Sequence, residues 1–182
     1  MGFVERLSLA EWLVLGVVRE GTTHGFAVAA LTGPDGEIGR VWTVPRPVVY
    51  RALGRLRDAG LIRETGTEHT TAGPARTLVE ITPDGDAAAA AWLDRPVAHV
   101  RDVRSELLLK LALLDRAGQD PTALLIAQRD TLEPIVSALG EARDRARGFD
   151  RTLAAWRYET AVATLAFLNE TLTVTGTSRA SR

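Results

Sequence analysis

There is no cysteine in the 182 residues, which excludes disulfide cross-links and thiolate metal sites. Lysine is almost absent too: Lys110 stands alone among 22 basic residues, the rest being arginine. Arginine suits phosphate and guanine recognition through its planar fork, although so uniform a bias also follows from GC-rich coding. No apolar run is long enough to span a bilayer, and the apolar run in Met1–Leu7 is too short for a signal peptide. The expected address is therefore the cytoplasm, with no membrane association. A surplus of positive charge is also missing. With 22 basic residues against 23 acidic ones, the formal net charge is -1, which is not the global signature of a nucleic-acid binder. That argues only weakly against DNA, because affinity follows where positive charge is concentrated. Catalytic motifs are lacking as well. His24, His69 and His99 have no metal-ligand spacing, and there is no HExxH, P-loop or GxSxG. The chain reads as a non-enzyme, with no metal and no other cofactor.

What is present centres on the stretch from Val44 to Ile62. Val49, Leu53 and Leu56, with Ala52 and Ala59 beside them, recur at helical spacing. Arg46, Tyr50, Arg51, Arg55 and Arg57 occupy other faces, and Gly60 supplies a stop. A short helix with one buried stripe and an arginine-rich surface is what a DNA major groove accepts.

Around it the chain reads as follows. Ser8-Leu-Ala-Glu11 forms a capping box for a helix from Leu9 to Arg19. Thr23 is placed to cap a second helix, His24 to Leu31, with Phe26 and Val28 inward. Leu61–Thr65 and Arg76–Thr82 read as two strands joined by a solvent-projecting connector, Gly66–Ala75. Three short helices followed by a hairpin describe a winged helix-turn-helix. Thr82-Pro83 opens a linking helix to Leu93, stopped by Asp94-Arg-Pro96. From Ser105 the pattern is helical to about Leu172. Glu106–Leu114 is apolar nearly all round apart from Lys110, a second helix starts at Asp120-Pro121 and contains Pro134, and a third carries a seam of Phe149, Leu153, Trp156, Ala163 and Phe167. So wide a stripe on a terminal helix suggests packing against both its own domain and another chain. The expected fold is mainly α with a small β-hairpin wing. It comprises a winged helix at residues 1–85, a linking helix and connector at 86–104, an antiparallel helical dimerisation domain at 105–173, and a disordered tail at 174–182.

These residues resemble the PadR family of transcriptional regulators. The resemblance begins with Leu13-Val-Leu-Gly-Val-Val and His24-Gly25-Phe26, and is strongest at Val49-Tyr50-Arg51-Ala52-Leu53 with Arg55-Leu56 and Gly60-Leu61-Ile62. It follows Gly73-Pro74-Ala75-Arg76, Ile81-Thr82-Pro83-Asp84-Gly85, Trp92-Leu93 and Glu106–Lys110, and so covers about two thirds of the chain. The resemblance implies a dimeric repressor of double-stranded operator DNA, released by a small effector, aromatic compounds among the candidates. Where the family commonly has Ser-Pro-Gly-Thr entering the recognition helix, this chain has Pro45-Arg46-Pro47-Val48. The capping serine and glycine are lost and an arginine is gained.

The candidate DNA contacts are Arg46, Tyr50, Arg51 and Arg55 on the helix and Thr70, Thr71 and Arg76 in the wing; the competing reading is a solvated face. Tyr50 fits the core as well as it fits the surface. Arg57 with Asp58, and Arg63 with Glu64, read as surface compensation. Of the four tryptophans, Trp92 and Trp156 are the candidates for an effector pocket at the junction of the domains, against core or dimer interface as the simpler reading. The dimerisation residues are those of the terminal seam. A second class of function stays open: a protein-interaction adaptor that keeps the winged helix without specific DNA binding.

Overall fold

The structure, a computed structural model, describes residues 7–69 and 75–180, with residues 176–180 described by their backbone alone. Helix α1 (Leu9–Arg19) starts where its sequence dictates. Ser8 Oγ accepts from the Glu11 N–H at 3.4 Å, and the Glu11 carboxylate accepts from the Ser8 N–H at 2.6 Å. Ala10 to Val18 are all buried, so α1 is a core helix. Gly16 makes its crowding possible, because a Cβ there would press into the Leu113 side chain.

The second helix departs from expectation. Thr23 does not cap it; Thr23–His24 forms a short strand, β1, and His24 is the cap, its Nδ1 accepting from the Ala27 N–H at 3.0 Å. Helix α2 (Gly25–Leu31) buries Val28 but leaves Phe26 48% exposed. Between α2 and α3 (Arg46–Asp58) the chain turns tightly. The Val44 N–H reaches the Thr32 carbonyl, Ile38 is fully buried, and a Cβ at Gly39 would overlap the Gly33 carbonyl. Strands β2 (Ile62–Glu68) and β3 (Arg76–Ile81) follow, β2 reaching further into the Gly66–Ala75 connector than its sequence suggests. The sheet has three strands in the antiparallel order β1-β3-β2, with Thr23 opposite Val79 and Ile62 opposite Ile81. Two-residue β1 has no pattern of its own; pairing with β3 creates it. The expected winged helix-turn-helix is present, with a strand added to its hairpin.

Thr82 accepts from the Gly85 N–H at 3.1 Å and donates to the Gly60 carbonyl at 2.7 Å, so one hydroxyl ties the start of α4 (Pro83–Asp94) to the end of α3. Helical structure resumes at Val100, earlier than Ser105, as α5 (Val100–Asp102), a π-helical stretch over Val103–Leu107, and α6 (Leu108–Arg116).

The chain forms two compact units, residues 1–93 with 109–118, and residues 94–108 with 119–182. The segment 109–118 thus belongs with the winged helix, although it lies beyond residue 105, where the sequence reading opens its second domain. The reason is packing. Leu109, Lys110, Leu113 and Leu114 are buried, and Leu113 fills the space left by Gly16. Lys110 is fully buried too, its ammonium 4.8 Å from the Trp92 ring centroid. Trp12 stacks on the same indole at 5.3 Å with 1° between planes. At the end of α6, Arg116 holds Glu20 at 2.6 Å and also Glu37, and its hydrogen bond to Glu20 is the main cause that raises its pKa above the ordinary value.

The second unit is built on a helical hairpin, α7 (Thr122–Arg145) and α8 (Gly148–Ala180), turned at Gly148 with φ 56°. Helix α7 runs through Pro134, and α8 continues beyond Leu172, where the sequence reading expects a tail. A Cβ on Gly140 would lie 3.2 Å from the Tyr158 ring, and the Arg143 guanidinium lies 4.2 Å from that ring's centroid. Gln128, fully buried on α7, accepts from the Val97 N–H at 2.7 Å and donates to its carbonyl at 2.9 Å. This one amide satisfies a buried stretch of connector that no strand or helix serves. Replacing it by leucine of similar volume leaves a buried N–H and carbonyl without partners, so Gln128→Leu should lower unfolding free energy by about 2–4 kcal/mol, measured by urea denaturation against Gln128→Glu and wild type.

Candidate nucleic-acid interface

Helix α3 starts at Pro45, which is extended (φ -60°, ψ 140°) and gives no side-chain cap, and Pro47 falls in the first turn, where no helical hydrogen bond is lost. Val49, Ala52 and Leu56 are buried. With 100° between successive residues, this inward stripe leaves Arg55 on the α1 flank, Arg46, Tyr50 and Arg57 on the sheet flank, and Arg51 facing out. A cleft of about 650 Å³ lies between α3 and the sheet. Leu53, Ile62 and Val79 supply its apolar lining, and Arg46, Arg57 and Arg76 its positive charge.

The arginines divide by partner. Arg55 Nε sits 3.0 Å from Glu11, whose side chain is only 3% exposed, so Arg55 serves the core of the unit. Arg57 bonds Glu64 at 2.9 Å and touches Asp58, and hydrogen bonding to Glu64 first, then Asp58, raises its pKa above the ordinary value. Arg63 pairs with Glu80 across the sheet rather than with neighbouring Glu64. Arg46 has no carboxylate partner among the described residues. Its guanidinium lies 5.4 Å from the Phe26 ring centroid and 5.5 Å from that of Tyr50, and it donates a long hydrogen bond, 3.4 Å, to the Tyr50 hydroxyl. Tyr50 is 45% exposed, which resolves its place in favour of the surface. Arg51 is exposed and makes no hydrogen bond or ion pair among the described residues.

On the sheet, Arg76 lies 4.9 Å from the Phe26 centroid and 3.9 Å from Glu68. Its Nη1 also lies 3.3 Å from His24 Nε2. Because His24 Nδ1 accepts from Ala27, the neutral ring carries its proton on Nε2. Glu68 lies 3.5 Å from that nitrogen, and with its proton on Nε2 the ring cannot accept a hydrogen bond from Arg76 there. The structure therefore brings Arg46, Tyr50 and Arg76 to one surface, with Arg51 outward on the same helix. Arg55 is drawn toward α1, and Thr70 and Thr71 lie outside the described residues. Sequence reasoning offered Thr23 and His24 as possible backbone donors to a phosphate but missed Phe26 as a neighbour of this surface, since only the β1–β3 pairing brings that corner to Arg76.

The remaining candidates lie elsewhere. Trp92 is buried in the first unit between the contacts already given, whereas Trp156 belongs to the second unit and is 70% exposed. On α8, Phe149 is 78% exposed, Leu153 and Ala163 are exposed, and Phe167 is half-buried. Ala161 and Leu168 supply the buried face of that helix. Among the described residues no three metal-ligating side chains gather, and no helix is long and apolar enough to cross a membrane.

No protein-family model matches the chain, and no curated protein does. Among solved structures it is similar to Bacillus subtilis PadR in complex with operator DNA, at 19% identity over 92% of this chain and 99% of that one, TM-score 0.47. It is similar to Bacillus subtilis PadR at 17% identity over 92% and 95%, TM-score 0.41. A PadR-like transcriptional regulator from Bacillus cereus shares 16% identity over 93% and 99%, TM-score 0.40.

The division of the arginines has a thermodynamic consequence. Arg55→Ala strands a buried carboxylate and should cost about 2 kcal/mol of stability, whereas Arg51→Ala should stay within about 0.5 kcal/mol of wild type. Chemical denaturation of the two variants side by side measures the difference, and equal stabilities would refute the division.

Proposed function

We propose that this chain is a DNA-binding transcriptional regulator of the PadR type, a homodimeric repressor. The observation that carries the reading is the gathering of Arg46, Arg76 and exposed Tyr50, with Arg51 outward on the same helix, in a winged helix whose other α3 arginines are matched by carboxylates. A helix presented this way enters a major groove by its N-terminal half. Arg51, with no partner to leave, is the base-reading candidate, able to fork onto guanine O6 and N7. Arg46, Arg76 and the Tyr50 hydroxyl serve the phosphates, and Thr70 and Thr71, between the two hairpin strands in sequence, extend that contact. Residues 1–85 act as the DNA-binding domain, with 109–118 packed in the same unit, and dimerisation belongs to α8 of the second unit.

Dimerisation is supported by α8. Phe149, Leu153, Trp156, Ala163 and Phe167 recur at intervals of three, four and seven, the spacing of a seam between two helices, and this chain leaves most of them uncovered. Such an uncovered apolar stripe, lying beside the face that Ala161 and Leu168 bury, fits a second copy of itself. An aromatic effector would find different receptions at the two candidate indoles. At Trp92 it would have to displace Trp12 or the Lys110 side chain, while Trp156 offers an open ring. Trp156 is the better candidate, at a seam where effector and partner copy would meet.

A mobility-shift assay on the DNA upstream of the chain's own gene tests the reading. Wild type should give a specific shift that weakens steeply with salt, by about 0.9 log units per log unit of salt for each phosphate engaged. Arg51→Ala should lose about 1–3 kcal/mol of specific binding and relax sequence preference, and Arg46→Ala should weaken all sequences alike. No specific shift at any salt would favour a protein-interaction adaptor on the same fold. For the dimer, Trp156→Asp should sediment as a monomer at micromolar concentration where wild type sediments as a dimer; a monomeric wild type would end that part of the proposal.

A further inference from the structure

Phe26 is half-exposed on α2, yet it is not an isolated apolar residue on the surface. Its ring is the common neighbour of two guanidinium groups from different elements, Arg46 at the start of α3 and Arg76 at the start of β3, 5.4 and 4.9 Å from its centroid. Scattered exposed apolar side chains need no explanation, but a ring between two cations has an electrostatic one, because the negative π-face attracts both. Arg46 also lies 5.5 Å from the Tyr50 ring centroid and donates to its hydroxyl. The series Arg76, Phe26, Arg46, Tyr50 therefore joins the wing to the recognition helix with alternating cations and rings.

The backbone beneath is shaped to permit this. A Cβ at Gly25 would come within 2.7 Å of the Tyr50 ring and 3.2 Å of Leu53. The absence of a side chain at Gly25 lets Tyr50 lie against the start of α2, next to Phe26. His24, one residue further back, anchors the same corner through β1 and its cap on Ala27, and its ring centroid is 6.4 Å from that of Phe26.

We infer that Phe26 is a positioning residue for DNA binding, holding Arg46 and Arg76 in the geometry in which they meet phosphates. The inference rests on the proposed DNA-binding function and extends it to a residue that touches no phosphate itself. Its physical content is entropic and electrostatic. A free arginine loses rotamer freedom when it grips a phosphate, and like charges resist approach. A ring that already orders both groups removes part of each cost before DNA arrives.

The test is fluorescence anisotropy with two labelled duplexes, the DNA upstream of the chain's own gene and a mixed-sequence duplex of the same length at low salt. Phe26→Leu, which keeps the apolar bulk and removes the π-face, and Phe26→Ala should both bind about tenfold more weakly than wild type on both duplexes. Phe26→Tyr should bind as wild type does. In an Arg46→Ala, Arg76→Ala background, Phe26→Leu should change affinity by less than about twofold, since nothing remains to be positioned. Melting temperature should move little for Phe26→Leu in either background. Wild-type affinity in Phe26→Leu overturns the inference, and so does a tenfold loss that persists without the two arginines, which would make Phe26 a direct contact. A wild-type chain that binds neither duplex overturns the DNA-binding function itself, and the inference with it.

Discussion

The first unit depends on one buried carboxylate. Glu11 is 2% exposed, yet it accepts from the Ser8 backbone and hydroxyl and pairs with Arg55 on α3. Burying a carboxylate costs several kcal/mol unless donors replace its water, and the gain from pairing does little more than offset that cost. What the arrangement contributes is a penalty on alternatives. If α3 slid by a turn along α1, the charge would lose its cation in a nearly dry site. The same residue closes the capping box of α1, so the position of the core helix and the register of α3 are set by one side chain. Packing completes the lock: Gly16 admits Leu113 from α6, and Trp12 receives Trp92 from α4.

That constraint changes how net charge should be read. A value of -1 is a sum over the chain, and the sum hides how the charges are spent. Arg55 answers Glu11, Arg57 answers Glu64 and Asp58, Arg63 answers Glu80, Arg19 answers Asp86, and Arg116 answers Glu20 and Glu37. These pairs hold elements together and cancel in the total. Arg46 and Arg51 have no carboxylate among the described residues, and Arg76 has only Glu68 at the limit of ion-pair distance. Local positive potential can therefore stand on a near-neutral protein, and its location follows from which arginines the fold has no structural use for.

Features set by neighbouring residues were readable in advance. The Ser8–Glu11 box, the Thr82-Pro83 start and the stop at Gly60 are local chemistry, and each appears where the residues require it. Features set by distant partners were not. Arg51 and Arg55 are equivalent by spacing, and only the arrival of Glu11 from α1 separates them. Strand β1 exists because β3 lies beside it, and Phe26 stands half-exposed beside two guanidinium groups from later in the chain. Lys110 interrupts an apolar run yet is buried over Trp92. The end of α8 reads as a tail because threonine and glycine are poor helix formers, but Thr171 and Thr175 return their hydroxyls to carbonyls one turn back and remain in the helix.

Two surfaces among the described residues stand uncovered beside the internal pairing and packing, and their chemistries are opposite. One carries guanidinium groups and aromatic rings on a winged helix; the other is an apolar seam on a long helix of the second unit. A polyanion cannot use the seam, and a second copy would gain nothing from bringing two arginine faces together. Each surface therefore asks for its own partner. Under the proposed function these demands are linked, because a pair of chains joined by a two-fold seam presents two reading helices related by the same symmetry. Affinity for a palindrome would then rise with dimer concentration while each head kept its own weak, salt-dependent hold on phosphate. On that proposal the seam would supply the pairing of heads, and the outward arginines what each head reads.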